Sequence, residues 1–575
     1  MKIRSILIAF LLLIGNQIQS SDRKIALLYP STTISLPTEN ASWLIDIFYQ
    51  WELFLIQNKY NYEIIDQSDL ESDLSGDFSL LILPAVKTLS ENEIAVIQDY
   101  MSEGNSVLAT MSLGVFSKNG DWRGWNTLEQ LFGLTFHSEI KHGESSQMHS
   151  LLGGLHITKN IPAGFRLQVT TYDKPIEVKI NSENTYPIGY WLNEDVPFEG
   201  IADNELKTSA VYGNYGLGNF VWLGFEMSAI VGAKLHREIS SQFFRNIVEY
   251  LRGDLITQIE TWPNGNQSAA VFSCDVEDKF NYINYALDII EEENVKGQFY
   301  ILTNSVDKPS FERLLKFGDV GLHGDEHSLF KWQDYNTQLN RISSGLNYLK
   351  KNSGVLPLAF RPIETMYDNS TLEAMINSNL KILSSDFIED RAIPQFLPTH
   401  PEVFIIPKTG FDDYDIFWKL KIGDLDGQSS RYLLDFYKTH KEGGLYTLNY
   451  HTQLQCNKEF AEALRKPIQY IKSQNVWITT HNKVYEWWMQ RNSLKLKATR
   501  VEDNRFLLEV ENSGESNVEG VVISFQKTHF KDFSTLTILH EGKNLDFNYD
   551  FSAKKIKLNL PTLVSKQTIR LDFRW

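Results

Sequence analysis

Cysteine is nearly absent. Cys274 and Cys456 are the only two in 575 residues, so no disulfide framework holds the fold together, and whether these two pair is left open. Positive charge is also short: 55 Lys and Arg against 72 Asp and Glu give a net charge of -17. An acidic surface repels phosphate backbones and anionic lipid, which argues against nucleic acid and membrane surfaces as partners. After the first twenty residues no apolar run is long enough to cross a bilayer, so no membrane insertion is expected. Internal repeats and low-complexity linkers are missing too. What remains is an ordinary globular composition, 42% hydrophobic and 22% charged, in a chain long enough for about three or four domains of roughly 150 residues.

The opening stretch, MKIRSILIAFLLLIGNQIQS, places Lys2 and Arg4 before an apolar run from Ile6 to Ile14 and ends in polar residues at Ser20. The run is too short for a membrane span, and no cysteine follows to carry a lipid. Residues 1–20 therefore read as a signal peptide, and the mature chain is expected to be exported to the periplasm or the outside.

Three patterns follow. Residues 21–255 alternate strand and helix: RKIALLYP and NSVLATMS read as buried strands, and LSENEIAVIQDYMSEG as a helix with a Ser90–Glu93 capping box and Ile94, Ile97 and Met101 on one face. This is the pattern of a parallel sheet covered by helices. Residues 256–491 alternate in the same way. Residues 492–575 switch to alternating apolar and polar positions with turns between them, as in RFLLEVENSG and TIRLDFRW, which predicts a β-sandwich. The expected fold class is thus α/β with a C-terminal β-sandwich.

The middle region carries the polar clusters. In AAVFSCDVED a buried strand ends in Asp275, Glu277 and Asp278, at the place where α/β folds put active sites. Acids that close repel one another unless a cation or an arginine neutralises them, although a solvated loop of helix-capping acids fits this stretch alone equally well. In GLHGDEHSLF, His323 and His327 are four apart. Thirteen histidines give roughly 0.3 such pairs by chance, so the spacing alone decides little. A helical turn beginning at His323 would aim both imidazoles at one point, and two histidines with a carboxylate suit a catalytic divalent metal: Zn²⁺, or Co²⁺, Mn²⁺ or Ni²⁺. Arg361 in PLAFRP, Asp386 in KILSSDF and His451 in LYTLNYHTQ each end a strand-like run as well.

In this order the clusters resemble the polysaccharide deacetylase family, carbohydrate esterase family 4, over roughly residues 265–490. The resemblance implies a distorted (β/α) barrel and a role for each residue. The family's first motif, Thr-Phe-Asp-Asp-Gly, reads here Ser273-Cys274-Asp275-Val276-Glu277-Asp278. Asp275 matches the general base, while Val276 stands where a metal ligand belongs. Alternation along a strand puts residue 277 on the side of residue 275, so Glu277 is the first candidate for the missing ligand and Asp278 the second. His323 and His327 match the metal histidines, Arg361 the arginine that holds the base, His451 the general acid and Asp386 the carboxylate that orients it. Ser328 replaces the usual Pro after the second histidine, and Ile363 the usual Tyr after Arg-Pro. The implied reaction is metal-assisted removal of N- or O-acetyl groups from a polysaccharide. Two alternatives stay open: hydrolysis of non-peptide C–N bonds in small molecules, and an inactive glycan-binding or scaffold protein.

Residues 21–255 resemble a class I glutamine-amidotransferase-like domain. Active members carry a cysteine after the strand matching VLAT, where this chain has Met111 and Ser112, so the region is expected to be non-catalytic.

Overall fold

The computed structural model describes residues 24–74, 78–141, 147–192, 207–385, 390–502, 504–526, 535–550 and 555–575. Residues 1–20, expected to be a signal peptide, lie outside them. The fold is mixed α/β, and none of the helices among the described residues is long and apolar enough to cross a membrane.

In the N-terminal region the strands Tyr62–Asp66, Lys24–Tyr29, Phe78–Leu83, Ser106–Thr110 and Gly218–Leu223 lie parallel in that spatial order. Runs such as FSLLIL and SVLAT are buried at every position, as strands covered on both faces must be. The helices Ala41–Gln57 and Lys234–Leu251 pack into one core, through Trp51, Phe54, Phe244 and Ile247, and Glu91–Ser102 packs into the other, through Ile94, Ile97 and Met101. The Ser90–Glu93 capping box forms. Thr208–Tyr215 then turns back, and antiparallel strands extend the sheet.

Among the described residues, the middle region contains a nine-stranded sheet. Strands His400–Pro407, Ile382–Ser385, Ala359–Phe360, Gly318–Gly324, Gly297–Leu302, Ser268–Val276 and Leu445–His451 are parallel neighbours in that order. The two ends meet through Thr409, whose Oγ1 donates to Leu445 O at 2.6 Å and accepts from Thr447 N at 3.4 Å. Strand period sorts the side chains of Ser268–Val276. Ala269 and Val271 join one core with Phe404 and Leu445, whereas Ala270, Phe272, Cys274 and Val276 join the core that includes the helical residues Leu287 and Phe436. Asp275 thus faces the inside of the curled sheet and Val276 the helix layer.

At the C-terminus the strands Leu494–Glu502, Arg505–Asn512, Thr568–Arg574, Thr537–His540 and Lys543–Asn544 form one antiparallel sheet. A second comprises Ile256–Ile259, Val522–Gln526, Lys555–Asn559 and Asn548–Asp550. Phe506, Leu508 and Phe573 of the first meet Ile523, Phe525 and Leu558 of the second in one core. Ile256–Ile259, next to the boundary expected at residue 255, is an edge strand of the C-terminal sheet. Its partner lies far along the chain, so no local pattern announces the pairing.

A buried ion pair pins this edge strand. Lys555 Nζ donates to both carboxylate oxygens of Glu260 at 2.9 Å and to Gly154 O at 2.7 Å, joining the C-terminal sheet to the N-terminal region. Lys555→Ala leaves the Glu260 carboxylate buried without a cation, and a loss of about 3–5 kcal/mol is expected in denaturant unfolding. Lys555→Met with Glu260→Leu should recover most of it; an unchanged midpoint in the single variant would show that water reaches Glu260.

Candidate active site

Every charged group of the site is delivered by the C-terminal end of a parallel strand or the loop after it, where the strand stops and backbone and side chains open toward one another. Asp275 lies opposite His451 in the register of two adjacent strands. His323 is the penultimate residue of Gly318–Gly324, and Arg361 follows Ala359–Phe360.

Glu277, His323 and His327 form a group whose donor atoms all lie within 4.8 Å of one another. His323 Nε2 is 2.6 Å from Glu277 Oε1, and His327 Nε2 is 3.3 Å from the same oxygen. His323 Nδ1 is 2.7 Å from Arg361 O. A carbonyl only accepts, so Nδ1 carries the proton and Nε2 faces the other donors, which is the tautomer and second hydrogen bond that metal-ligating histidines have. The other Glu277 oxygen accepts from Gln453 Nε2 at 2.5 Å. Two imidazoles and an anchored carboxylate fit a divalent cation. His323 is buried while the His327 side chain is 51% exposed, so the group opens to solvent on one side.

The helical turn expected from His323 is corrected. His323 is the sixth residue of a strand and His327 sits in the bend that follows. Arg341 shapes that bend: its guanidinium donates to the Asp325 carboxylate at 2.8 Å and to the carbonyls of Glu326, Ser328 and Leu329. Asp278 is exposed and outside the donor group.

Asp275 Oδ1 accepts from Arg361 Nη1 at 2.6 Å. Arg361 is itself held by Ser273, Ser384 and Asn449, with its guanidinium carbon 4.2 Å from the centroid of the Tyr300 ring. Burial alone would raise the Asp275 carboxyl, but the charges of Arg361, His323 and His451 outweigh it and hold the pKa at about 2. His451 Nε2 is 3.4 Å from Asp275 Oδ2.

Asp386, expected to orient His451, lies outside the described residues. The carboxylate on His451 Nδ1 is that of Asp413, 2.5 Å away and fully buried. Its second oxygen accepts from the backbone N–H of His451 at 2.8 Å and of Gln455 at 3.0 Å. Burial would lower the His451 imidazolium, but Asp413, with Asp275 and Glu277, outweighs it and raises the pKa to about 10. The run VFIIP followed by GFDDYD carried the same strand-then-acid signature as the other motifs; only the distance in sequence hid its partner. Gln453, Asn449 and Tyr414, whose ring lies edge-on to His451 with centroids 4.6 Å apart, carried no sequence signal.

Asp413→Asn removes the charge that keeps His451 protonated. On the general-acid role that the resemblance implies for His451, the acid is lost as pH rises through its pKa, so the alkaline limb of kcat/KM should move to lower pH by at least one unit, about 1.4 kcal/mol of lost stabilisation. An unmoved limb would free His451 of the acid role.

Residues 267–383 match the model of the polysaccharide deacetylase family. No curated protein matches the chain. Similar solved structures include two proteins described as polysaccharide deacetylases. One, from Mycobacterium smegmatis, is 18% identical, with 42% of this chain and 98% of that one covered at a TM-score of 0.37. The other, from Pseudomonas aeruginosa PAO1, is 14% identical, with 40% and 92% covered at 0.36. A family 4 acetyl xylan esterase from Clostridium thermocellum is 14% identical, with 38% and 91% covered at 0.29. Residues 267–383 are thus similar to a polysaccharide deacetylase domain, and the matched span includes Asp275, Glu277, His323, His327 and Arg361.

Proposed function

We propose that the protein is an exported, metal-dependent deacetylase that hydrolyses N- or O-acetyl groups on a polysaccharide. The observation that carries this is one cluster in which Asp275, gripped by Arg361, lies 3.4 Å from His451 and two residues from the Glu277 that bonds His323. Val276 does not count against it, because that side chain faces the helices and the longer Glu277 reaches the donor group from the Asp275 side of the strand.

Glu277, His323 and His327 would hold a divalent cation, which when bound would supply polarisation of an acyl carbonyl and acidification of water. Asp275, ionised at neutral pH, takes the proton of the attacking water. Arg361 fixes the direction of that carboxylate. His451, kept charged by Asp413, gives its proton to the departing amine or alkoxide. Gln453 and Tyr414 border the approach, and the exposed Trp332 and Trp418 follow His327 and Asp413 in the chain, as flat faces suited to sugar rings. We read the curled sheet as a distorted (β/α) barrel, residues 1–20 as the export signal, and the N-terminal region as a non-catalytic amidotransferase-like scaffold with Met111 at the cysteine position.

The test is metal content after Zn²⁺ or Co²⁺ loading, beside His327→Ala, followed by acetate release from acetylated glycans. Near-stoichiometric metal in the wild type and little in the variant is expected. Metal in neither would put a glycan-binding module in place of the enzyme.

A further inference from the structure

We propose that Cys274 and Cys456 are joined by a disulfide in the mature protein, a covalent staple between the strand that carries the base and the turn that follows the acid. They are the only cysteines in the chain. They stand 182 positions apart, yet their Sγ atoms are 3.9 Å apart and both side chains are fully buried. Cys274 lies on the helix-facing side of Ser268–Val276, between Phe272 and Val276. Cys456 sits in the turn after Leu445–His451, and its N–H donates to His451 O at 3.2 Å. The parallel pairing of these strands sets Cys274 opposite Tyr450, and the turn after His451 brings Cys456 back to it. A disulfide is about 2.05 Å long, so forming it requires the two sulfurs to move toward each other from 3.9 Å.

The chemistry balances with a disulfide donor as oxidant, either a small molecule or a thiol oxidoreductase. One cysteine thiolate attacks a sulfur of the donor, forming a mixed disulfide and releasing a thiol. The second cysteine then displaces the other donor sulfur. Two protein thiols lose two hydrogens, and the donor is reduced to two thiols. Burial pushes the Cys274 thiol well above its ordinary range, so the thiolate is scarce once the chain is folded. The exchange belongs to folding or to an opened state, and the finished bridge is shielded from reductants. None of this depends on the deacetylase reading.

The full chain, reduced and unfolded, then refolded in a mixture of reduced and oxidised glutathione, is desalted, unfolded again in guanidinium and titrated for thiols. The expected result is no reactive thiol, an intact mass lower by the two hydrogens lost, and no glutathione adduct; reduction should restore both thiols and lower Tm by about 5–15 °C, given the long loop closed. The Cys274→Ser, Cys456→Ser double variant should melt at the same temperature with and without reductant. Two thiols still titrating in the treated wild type, or a glutathione adduct on either cysteine, would overturn the proposal.

Discussion

Asp275→Asn should keep metal at the wild-type level and lose roughly 10²–10⁴-fold in turnover. The variant changes almost no volume and leaves an oxygen for Arg361 to donate to, but an amide has no basicity with which to take a proton from water. Asp275 is not among the donors of the metal group, so loss of activity and loss of metal are separable in this variant alone. A melting curve belongs beside the kinetics, because Arg361 is left buried with a neutral partner. Near-normal turnover would remove Asp275 from the base role. The same carboxylate has a stability signature. Its folded pKa is depressed to about 2, so its contribution is present above the ordinary carboxylate range and is lost as pH falls from about 4 through about 2. The variant should therefore show a shallower acid unfolding over that window.

His451→Ala should cost a similar factor, but unevenly across substrates. A departing amine or sugar alkoxide needs a proton, and without His451 the loss should reach about 10²–10⁴-fold. An aryl acetate leaves as a stabilised phenolate and should be cleaved at nearly the wild-type rate. A general acid predicts that split, whereas a residue that only holds the site together predicts equal losses. Equal losses, with metal retained, would assign His451 to positioning rather than proton transfer.

Most of the site was legible because each of its motifs is local. An apolar run that stops at a charged residue marks the end of a buried strand, and a period of two tells which neighbours share its side; on that basis Asp275, Glu277, His323, Arg361 and His451 stand out. The geometry around them was legible only in part. The pair four apart at His323 and His327 has the spacing of a helix, but a strand followed by an Arg341-held bend brings the same nitrogens together. Asp386 has the same local signature as Asp413, and nothing within either motif distinguishes them.

The sequence by itself determined the alternation of strand and helix, the change to a β pattern after residue 491, and the order of acid, histidine pair, arginine and histidine. These depend on side-chain period and on where burial ends, which neighbouring residues encode. Only the tertiary structure decided that Asp413 meets His451 across 38 residues, that Gln453 holds Glu277 across 176, that Ile256–Ile259 pairs with Val522–Gln526, and that the two cysteines face each other. Each is a contact between segments whose own patterns are silent about their partners, because proximity there is set by how the sheet curls and not by any period along the chain.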